Sequence, residues 1–316
     1  MTKKKKWTVD DIADLTGKIV VITGANSGTG FEATKILAKK GAHVIMGCRN
    51  EEKGKKALEE IKKELPESSI EYMHLDLSNL KSINEFTTNI KSKYKHVDVL
   101  LNNAGVMQTP HKKTEDGFEL QIGINHLGHF ALTGLLLDLI KATPEARVVT
   151  MSSTVHTMGK VDTTDLQFEN GRKYDRTKSY SQSKLANLLF AYELDRKFKE
   201  NNITAISVAS HPGYAATNLQ SSGLSLDTGL KAKFYRWTYK ITNKVIAQSA
   251  YMGSLPMVMA GVDNSVKGGE YYGPTGLLGQ RGYPGKTKSN EKSHDVENAQ
   301  KLWKISEELT KVHYSF

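Results

Sequence analysis

Hydrophobic positions along this chain switch repeatedly between runs that suit a strand and stripes that suit a helix. Lys18–Thr23 is a short β-branched run, and a helical stripe over Gly30–Lys40 closes at Gly41. Ala42–Gly47 reads as the next strand, followed by a charged helix to about Leu65 that Pro66 stops. Ile70–Leu77 alternates as a strand, Lys81–Lys93 reads as a helix, and Val97–Leu101 is an apolar, buried run. A long helix is expected from about Phe118 to Lys141, a strand at Arg147–Met151 and a helix at Ser179–Glu200. Thr204–Ala209, Ile246–Ala260 and Glu270–Tyr272 complete the pattern as strand, helix and short strand.

Such β–α alternation predicts an α/β fold: a doubly wound, mostly parallel sheet of seven strands with helices on both faces. Ligands of such sheets bind at the carboxyl ends of the strands. No internal repeat and no Pro-, Gly- or Ser-rich linker divides the chain, so residues 1–316 read as a single domain. Residues 1–16 form an N-terminal extension in which Thr8-Val-Asp-Asp11 suits a helix-starting box. Two stretches, 156–178 and 214–240, are long and poorly periodic, and are expected as substrate-side loops.

Composition changes this picture little. The 316 residues are 38% hydrophobic and 25% charged, as in ordinary soluble domains. No apolar run reaches the roughly 20 residues a membrane span needs; the richest, Phe130 to Ile140, contains Asp138. The basic start, Met1 to Trp7, lacks the apolar segment of a secretory signal. Cys48 is the only cysteine, which excludes an internal disulfide and fits a reducing cytoplasm. The net charge of +10 raises nucleic acid or an anionic membrane as partners. The lysines, however, are interleaved with Glu, as in Glu51-Glu-Lys-Gly-Lys-Lys-Ala-Leu-Glu-Glu60, which is the pattern of solvated helix faces. No nucleic-acid partner is expected.

Candidate chemistry centres on Tyr180-Ser-Gln-Ser-Lys184, which places a phenol and an ammonium one helical turn apart. A nearby ammonium favours the phenolate, so Lys184 is expected to lower the Tyr180 pKa. The spacing alone is weak, since with thirteen Tyr about one or two matches arise by chance. Tyr174-Asp-Arg-Thr-Lys178 is such a match. Tyr174 lies in a polar run read as loop, whereas Leu185, Leu188, Leu189 and Tyr192 follow Tyr180 at buried-face spacing. Only the second pair is expected to be rigidly held.

Thr23-Gly-Ala-Asn-Ser-Gly-Thr-Gly30 ends the first strand and opens the first helix. Its glycines allow a tight turn, and the helix N-terminus offers free N–H groups to a pyrophosphate. Gly24, Asn26, Ser27, Gly28, Thr29 and Gly30 are therefore candidate dinucleotide ligands. The second strand ends in Met46-Gly-Cys-Arg-Asn50, with Arg49 where an acid would hold ribose hydroxyls. A guanidinium there pairs with a 2′-phosphate, so NADP(H) is the preferred cofactor, with NAD(H) left open. The plainer alternative makes Arg49 a surface charge and Asn50 a helix cap.

Taken together, these motifs resemble the short-chain dehydrogenase/reductase family, and the likeness runs through nearly the whole chain in the family's order. TGxxxGxG stands at residues 23–30, the adenine-contacting acid at Asp76 beside Leu77, and NNAG at Asn102-Asn103-Ala104-Gly105. The family's Asn matches Asn125, its Ser matches Ser153, and its YxxxK matches Tyr180 and Lys184. His211-Pro212-Gly213-Tyr-Ala-Ala-Thr217 matches the motif after the sixth strand. The sequences around Cys48–Asn50, Asn125–His129 and Ser183–Asn187 are similar to the retinol-dehydrogenase-like branch, with its protochlorophyllide reductase and bacterial ketoreductase relatives. Thr29 departs from the usual aliphatic residue. The 27 residues between Ser153 and Tyr180 exceed the compact members' spacing, and the transmembrane anchor of many animal retinol dehydrogenases is not found in this sequence.

The resemblance implies a Rossmann-type oxidoreductase that moves a hydride between nicotinamide and a carbonyl or alcohol. Tyr180 would be the acid or base, Lys184 would also hold the nicotinamide ribose, Ser153 would bind the substrate oxygen, and Asn125 would position a relay water. It also raises a homodimer through the helix after Tyr180. Two alternatives stand beside it: a catalytically silent dinucleotide-binding regulator, which should have lost the pair, and a sugar-nucleotide epimerase or dehydratase, whose glycines are spaced differently. Met158, Phe168, Tyr214, Leu219, Phe234 and Trp237 give the loops an apolar cast and point to a lipophilic or aromatic substrate. His126, His129 and His156 lack the carboxylate or Cys partners of a metal site, and no metal is expected.

Overall fold

The computed structural model describes residues 6–214 and 247–316. Its strands are β1 (Ile19–Thr23), β2 (His43–Cys48), β3 (Ile70–His74), β4 (Val99–Asn102), β5 (Arg147–Met151), β6 (Ile206–Ser210), β7 (Tyr271–Pro274) and β8 (Pro284–Thr287). They form one sheet in the order β3-β2-β1-β4-β5-β6-β7-β8. Every pair is parallel except β7 with β8. The sheet therefore has eight strands where seven were expected. The eighth opens on Pro284, which an edge strand tolerates because its missing N–H faces no partner.

Strand residues alternate between two cores because successive side chains point to opposite faces. Val20, Ile22, Val44 and Met46 join a cluster with α1 (Gly28–Lys39), α2 (Glu51–Glu64) and α8 (Ala250–Val262). Ile19, Val21, Ile45 and Leu100 face α3 (Leu80–Lys93), α5 (Gly128–Leu135) and α7 (Arg176–Glu200). Trp7, Ile12 and Leu15 tie the N-terminal extension to the first cluster, and Trp7 Nε1 donates to Asp263 at 2.7 Å. The capping box at Thr8 is present, closing a three-residue turn at Val9–Asp11.

The long helix expected over Phe118–Lys141 is broken. It consists of α4 (Leu120–Ile122), a π-helical turn at Gly123–Leu127, α5, and α6 (Leu137–Lys141). Close approach explains the glycines: a Cβ on Gly128 would lie 2.4 Å from the Leu77 carbonyl oxygen. The π turn rotates Asn125 relative to a straight helix, a device common at functional sites.

A C-terminal helix, α9 (Val296–Thr310), is an element that the sequence pattern did not reveal. It packs on α7, and Trp303, Tyr314 and Phe316 continue the aromatic cluster of Phe130 and Phe190. The chain's own C-terminal region thus covers part of the helix considered for dimer contact, and Ser179 through Asp195 are all buried within one chain.

Candidate active site

The carboxyl ends of β1, β4, β5 and β6 open on a cleft of about 400 Å³. Gly24, Asn26, Ser27, Gly28 and Thr29 line one side, Asn103, Ala104 and Gly105 the floor, and Ser153, Tyr180, Lys184, Pro212 and Gly213 the other. This is where strand order reverses, between β1 and β4, and where such sheets bind dinucleotides.

The glycine loop takes its shape from Gly24 and Gly28, whose φ values of +67° and +58° suit glycine. Gly30 does not line the cleft; a Cβ there would lie 2.5 Å from the Gly24 carbonyl oxygen, so its role is close packing of helix on turn. Thr29 turns its hydroxyl to Asn103 Oδ1 at 2.8 Å, and Asn103 Nδ2 donates to the Thr23 carbonyl at 2.8 Å. The unusual threonine is therefore used, to fasten the loop to the floor.

Ser153 follows β5 and begins a short 3-10 turn at Thr154–Met158. Tyr180 and Lys184 lie one turn apart on α7, which starts with Asp175 accepting from the Lys178 amide at 2.8 Å. The Lys184 ammonium is 5.8 Å from the Tyr180 ring centroid and donates to the Met151 carbonyl at 3.2 Å. Asn125 is fully buried: Nδ2 donates to the Val106 carbonyl and to Ser183 Oγ, each at 2.9 Å, and Oδ1 accepts from the Val106 amide at 2.7 Å. Ser183 Oγ in turn donates to the Tyr180 carbonyl at 2.8 Å, so Asn125 braces the helix that carries the tyrosine.

The family profile described as short chain dehydrogenase matches residues 18–165. Human retinol dehydrogenase 14 is 38% identical over 312 residues, which span 92% of this chain and 85% of that protein. The chain belongs to the short-chain dehydrogenase/reductase family, in its retinol-dehydrogenase-like branch. Human retinol dehydrogenase 13 is 45% identical over 207 residues, 66% of this chain and 62% of that protein, so this match spans less than two thirds of that relative. An uncharacterized protein from Mycobacterium paratuberculosis superposes with a TM-score of 0.80 at 36% identity, covering 99% of this chain and 100% of the other. A short-chain dehydrogenase from Shigella flexneri, solved with NADP, shares the fold at a TM-score of 0.61 and 22% identity, covering 82% and 97%.

Electrostatics at this short-chain dehydrogenase site differ from the sequence expectation. Burial pushes the Tyr180 phenol up to about 12, with the Ser153 hydroxyl acting weakly the other way. Burial also pulls the Lys184 ammonium down to about 8. The ammonium sits over the ring, not at the phenol oxygen, so desolvation outweighs its attraction. Tyr180 is therefore a protonated donor at neutral pH.

Other expected residues fall outside the cleft lining. Arg49 is exposed at the tip of β2, and Asn50 caps α2 by accepting from the Lys53 amide at 2.8 Å. Asp76 accepts from the amide and hydroxyl of Ser78 at 2.9 and 2.7 Å, shaping the turn before α3, and Leu77 is buried beside Gly128. Thr217, Leu219, Phe234 and Trp237 lie outside the described residues. Phe168 packs under the Arg172 guanidinium, 3.8 Å from the ring centroid, and edge-on to Tyr174, so it does not line the cleft. Tyr174 itself is held firmly, contrary to expectation. Its hydroxyl bonds the Thr109 carbonyl, Glu119 Oε1 and Gln121 Nε2 at 3.0 to 3.1 Å, away from the cleft.

Gln108, Thr177 and Gln280 also line the cleft and went unnoticed in the sequence. Gln108 Nε2 donates to Thr177 Oγ1 at 3.1 Å, and the Gln280 carbonyl accepts from the Tyr214 amide at 2.9 Å. No local motif marks them, because each is brought in by a contact remote in sequence. Beside the cleft, a recess of about 430 Å³ shares Thr154, Val155 and Gln280 with it. Its walls mix Met158, Tyr271 and Leu278 with polar His156, His211 and Lys288. Among the described residues no helix is long and apolar enough to cross a membrane, and no three His, Cys, Asp or Glu side chains converge to hold a metal.

The residues present fit a dinucleotide. Ser27 opens α1 without a side-chain cap, which leaves the first-turn N–H groups facing the cleft for an anion. Gly105 keeps the floor low, since a Cβ there would come within 3.0 Å of Asn125 Oδ1 and 3.5 Å of Lys184 Nζ.

Proposed function

We propose that this protein is an NADP(H)-preferring oxidoreductase that interconverts a carbonyl compound and its alcohol. The carrying observation is that Ser153, Tyr180 and Lys184 line the same cleft as the glycine loop. When bound, the nicotinamide supplies or accepts the hydride. The glycine loop and the α1 N-terminus hold its phosphates, and Lys184, with only one N–H engaged at Met151, has donors left for the ribose.

In the reduction direction the substrate oxygen gains negative charge as its carbon gains the hydride. Ser153 Oγ donates a hydrogen bond to that oxygen, and Tyr180 gives it the phenolic proton. The raised phenol pKa supports this direction, because the donor is fully protonated at neutral pH and an alkoxide is the stronger base. Asn125 has both amide hydrogens committed to Val106 and Ser183, so a bound relay water would have to donate to its side-chain or main-chain oxygen.

The NADP(H) preference rests on the tip of β2. Arg49 is exposed there, and the nearest acids, Glu51 and Glu52, lie in the first turn of α2, with Glu51 paired to Lys55 at 2.6 Å. Met158, Tyr271 and Leu278, set among polar neighbours in the adjoining recess, support a lipophilic or aromatic substrate, and the relatives' names make retinoids one class to try. The complete catalytic set favours an enzyme over a silent binding protein. A buried, unpaired Cys48 supports a reducing compartment such as the cytoplasm. For assembly, the covering of α7 by α9 supports a monomer over the family-type homodimer.

The decisive experiment offers retinal, aromatic and aliphatic aldehydes and ketones to the wild type and to Tyr180→Phe, with each cofactor, following nicotinamide absorbance. Turnover by the wild type and a loss of at least about a hundredfold in the variant are expected. A variant that turns over at the wild-type rate would refute the mechanism.

A further inference from the structure

Behind the floor of the cleft lies a buried imidazole to which the mechanism assigns no task. His129, at the start of α5, is 1% exposed and contacts two parts of the site at once. Its Nε2 lies 2.9 Å from Thr23 Oγ1, and its Nδ1 lies 3.1 Å from the Asn125 carbonyl. We propose that His129 is a positioning residue, whose neutral Nδ1–H tautomer fixes the Asn125 carbonyl and joins it to the cofactor floor through Thr23. The proposal rests on the hydride-transfer reading above.

The proton positions follow from counting donors and acceptors. Thr23 Oγ1 faces two backbone amides, Asn103 and Ala104, each at 2.9 Å, and the Asn103 N–H is shared with the Leu101 carbonyl, also at 2.9 Å. The one Thr23 hydroxyl hydrogen can go to His129 Nε2 at 2.9 Å or to the Leu101 carbonyl at 3.4 Å. The other end of the ring decides the matter: the Asn125 main-chain carbonyl, 3.1 Å from Nδ1, can only accept, so Nδ1 carries the proton of the neutral ring. Nε2 is then the acceptor, and it takes the Thr23 hydroxyl hydrogen across the shorter of that hydroxyl's two distances.

The directed chain therefore runs from the Asn103 and Ala104 amides through Thr23 and His129 to Asn125. Both ends serve the reaction: Asn103 and Ala104 line the cleft, and Asn125 braces the tyrosine helix through Ser183. With both Asn125 amide hydrogens spent on Val106 and Ser183, its main-chain carbonyl still has a lone pair able to act, and His129 is what aims that carbonyl. A charged ring would reverse the Thr23 link, because Nε2–H would compete with the Asn103 and Ala104 amides for the Thr23 oxygen. Of the influences on the ring, burial together with the Lys184 ammonium opposes that charge more strongly than the Asn125 carbonyl favours it. Burial comes first, and the Lys184 ammonium adds to it, while the neighbouring His126 is itself buried among Phe130 and Phe190.

Three variants separate positioning from bulk. His129→Phe removes both contacts; its kcat should fall about ten- to a hundredfold, with cofactor affinity held within about threefold. His129→Asn retains a donor at the Nδ1 position and should recover most of that loss. His129→Gln reaches only toward Thr23 and should not. Equal kcat in the wild type and the Phe variant, or no recovery by Asn, overturns the proposal. A direct readout needs no foldable variant. Nitrogen-15 NMR of histidine-labelled wild-type protein, across pH 5 to 8, should show His129 neutral with Nδ1 protonated throughout. An Nε2–H tautomer, or a ring that titrates in that range, overturns it equally.

Discussion

Replacing Lys184 by Met should make the protein more stable and inactive at the same time. Lys184 is 2% exposed, and among the described residues no carboxylate pairs with it; its ammonium has the Met151 carbonyl and little else. Burial lowers its pKa from 10.5 to about 8. At about 1.4 kcal/mol per unit, folding around the charged form costs on the order of 3 kcal/mol. The sign is that of a folded pKa below the unfolded one. The unfolded chain binds the proton more tightly, so the penalty is complete below about pH 8 and is relieved as pH rises toward 10.5.

Met fills the same stem without a charge and without a titration, and Asn187 Nδ2 still donates to the Met151 carbonyl at 2.9 Å. Urea unfolding of cofactor-free protein should therefore show Lys184→Met ahead by about 3 kcal/mol at pH 7 and by about 1.5 kcal/mol at pH 9.5. The narrowing is the sharper quantity, because lost hydrogen bonds and altered packing shift both pH values alike. A gap that stays constant or widens as pH rises would refute the reasoning. So would a variant that retains turnover.

Arg49→Ala should raise the KM for NADPH on the order of tenfold while leaving that for NADH nearly unchanged, since a charge-assisted pair contributes about 1.5–3 kcal/mol; steady-state kinetics with both cofactors checks this, and equal effects on the two would remove Arg49 from the site. Trp303→Ala should cost about 3–5 kcal/mol in denaturant unfolding, because the indole is 6% exposed and packs against Phe130, Phe190 and Tyr314 with centroids 4.5 to 5.8 Å away. Its kcat at low temperature should stay close to wild type, as Trp303, Phe130, Phe190 and Tyr314 do not line the cleft.

What was legible in the chain was what local periodicity and turn chemistry decide. β1, the glycine loop and α1 are a strand, a turn with two left-handed glycines and a helix in succession, and they stand where the pattern places them. β5 matches residue for residue at Arg147–Met151. The misses share a different cause. α9 buries Ser306 and Thr310 beside Leu302 and Trp303, so its apolar stripe is diluted by side chains that bond backward to their own helix. β8 has four residues, begins with proline and is defined by its partner β7. The π turn at Gly123–Leu127 leads into Gly128, which meets the Leu77 carbonyl across 51 positions, a contact that no helical period registers.

The same division runs through the site. Spacing brings Tyr180 and Lys184 onto one face of α7, because i and i+4 neighbours are fixed by helix geometry. It does not set the sign of the phenol's shift, which depends on how much water the packing excludes and on where along a flexible stem the ammonium comes to rest. Here the stem turns the ammonium toward Met151 and over the ring, and burial prevails at both groups. The phenol expected from its sequence to have a lowered pKa is, in its folded surroundings, held protonated beside a weakened cation. That state suits carbonyl reduction at neutral pH, and it moves the burden of activating the phenol for alcohol oxidation onto whatever positive charge the filled cleft adds.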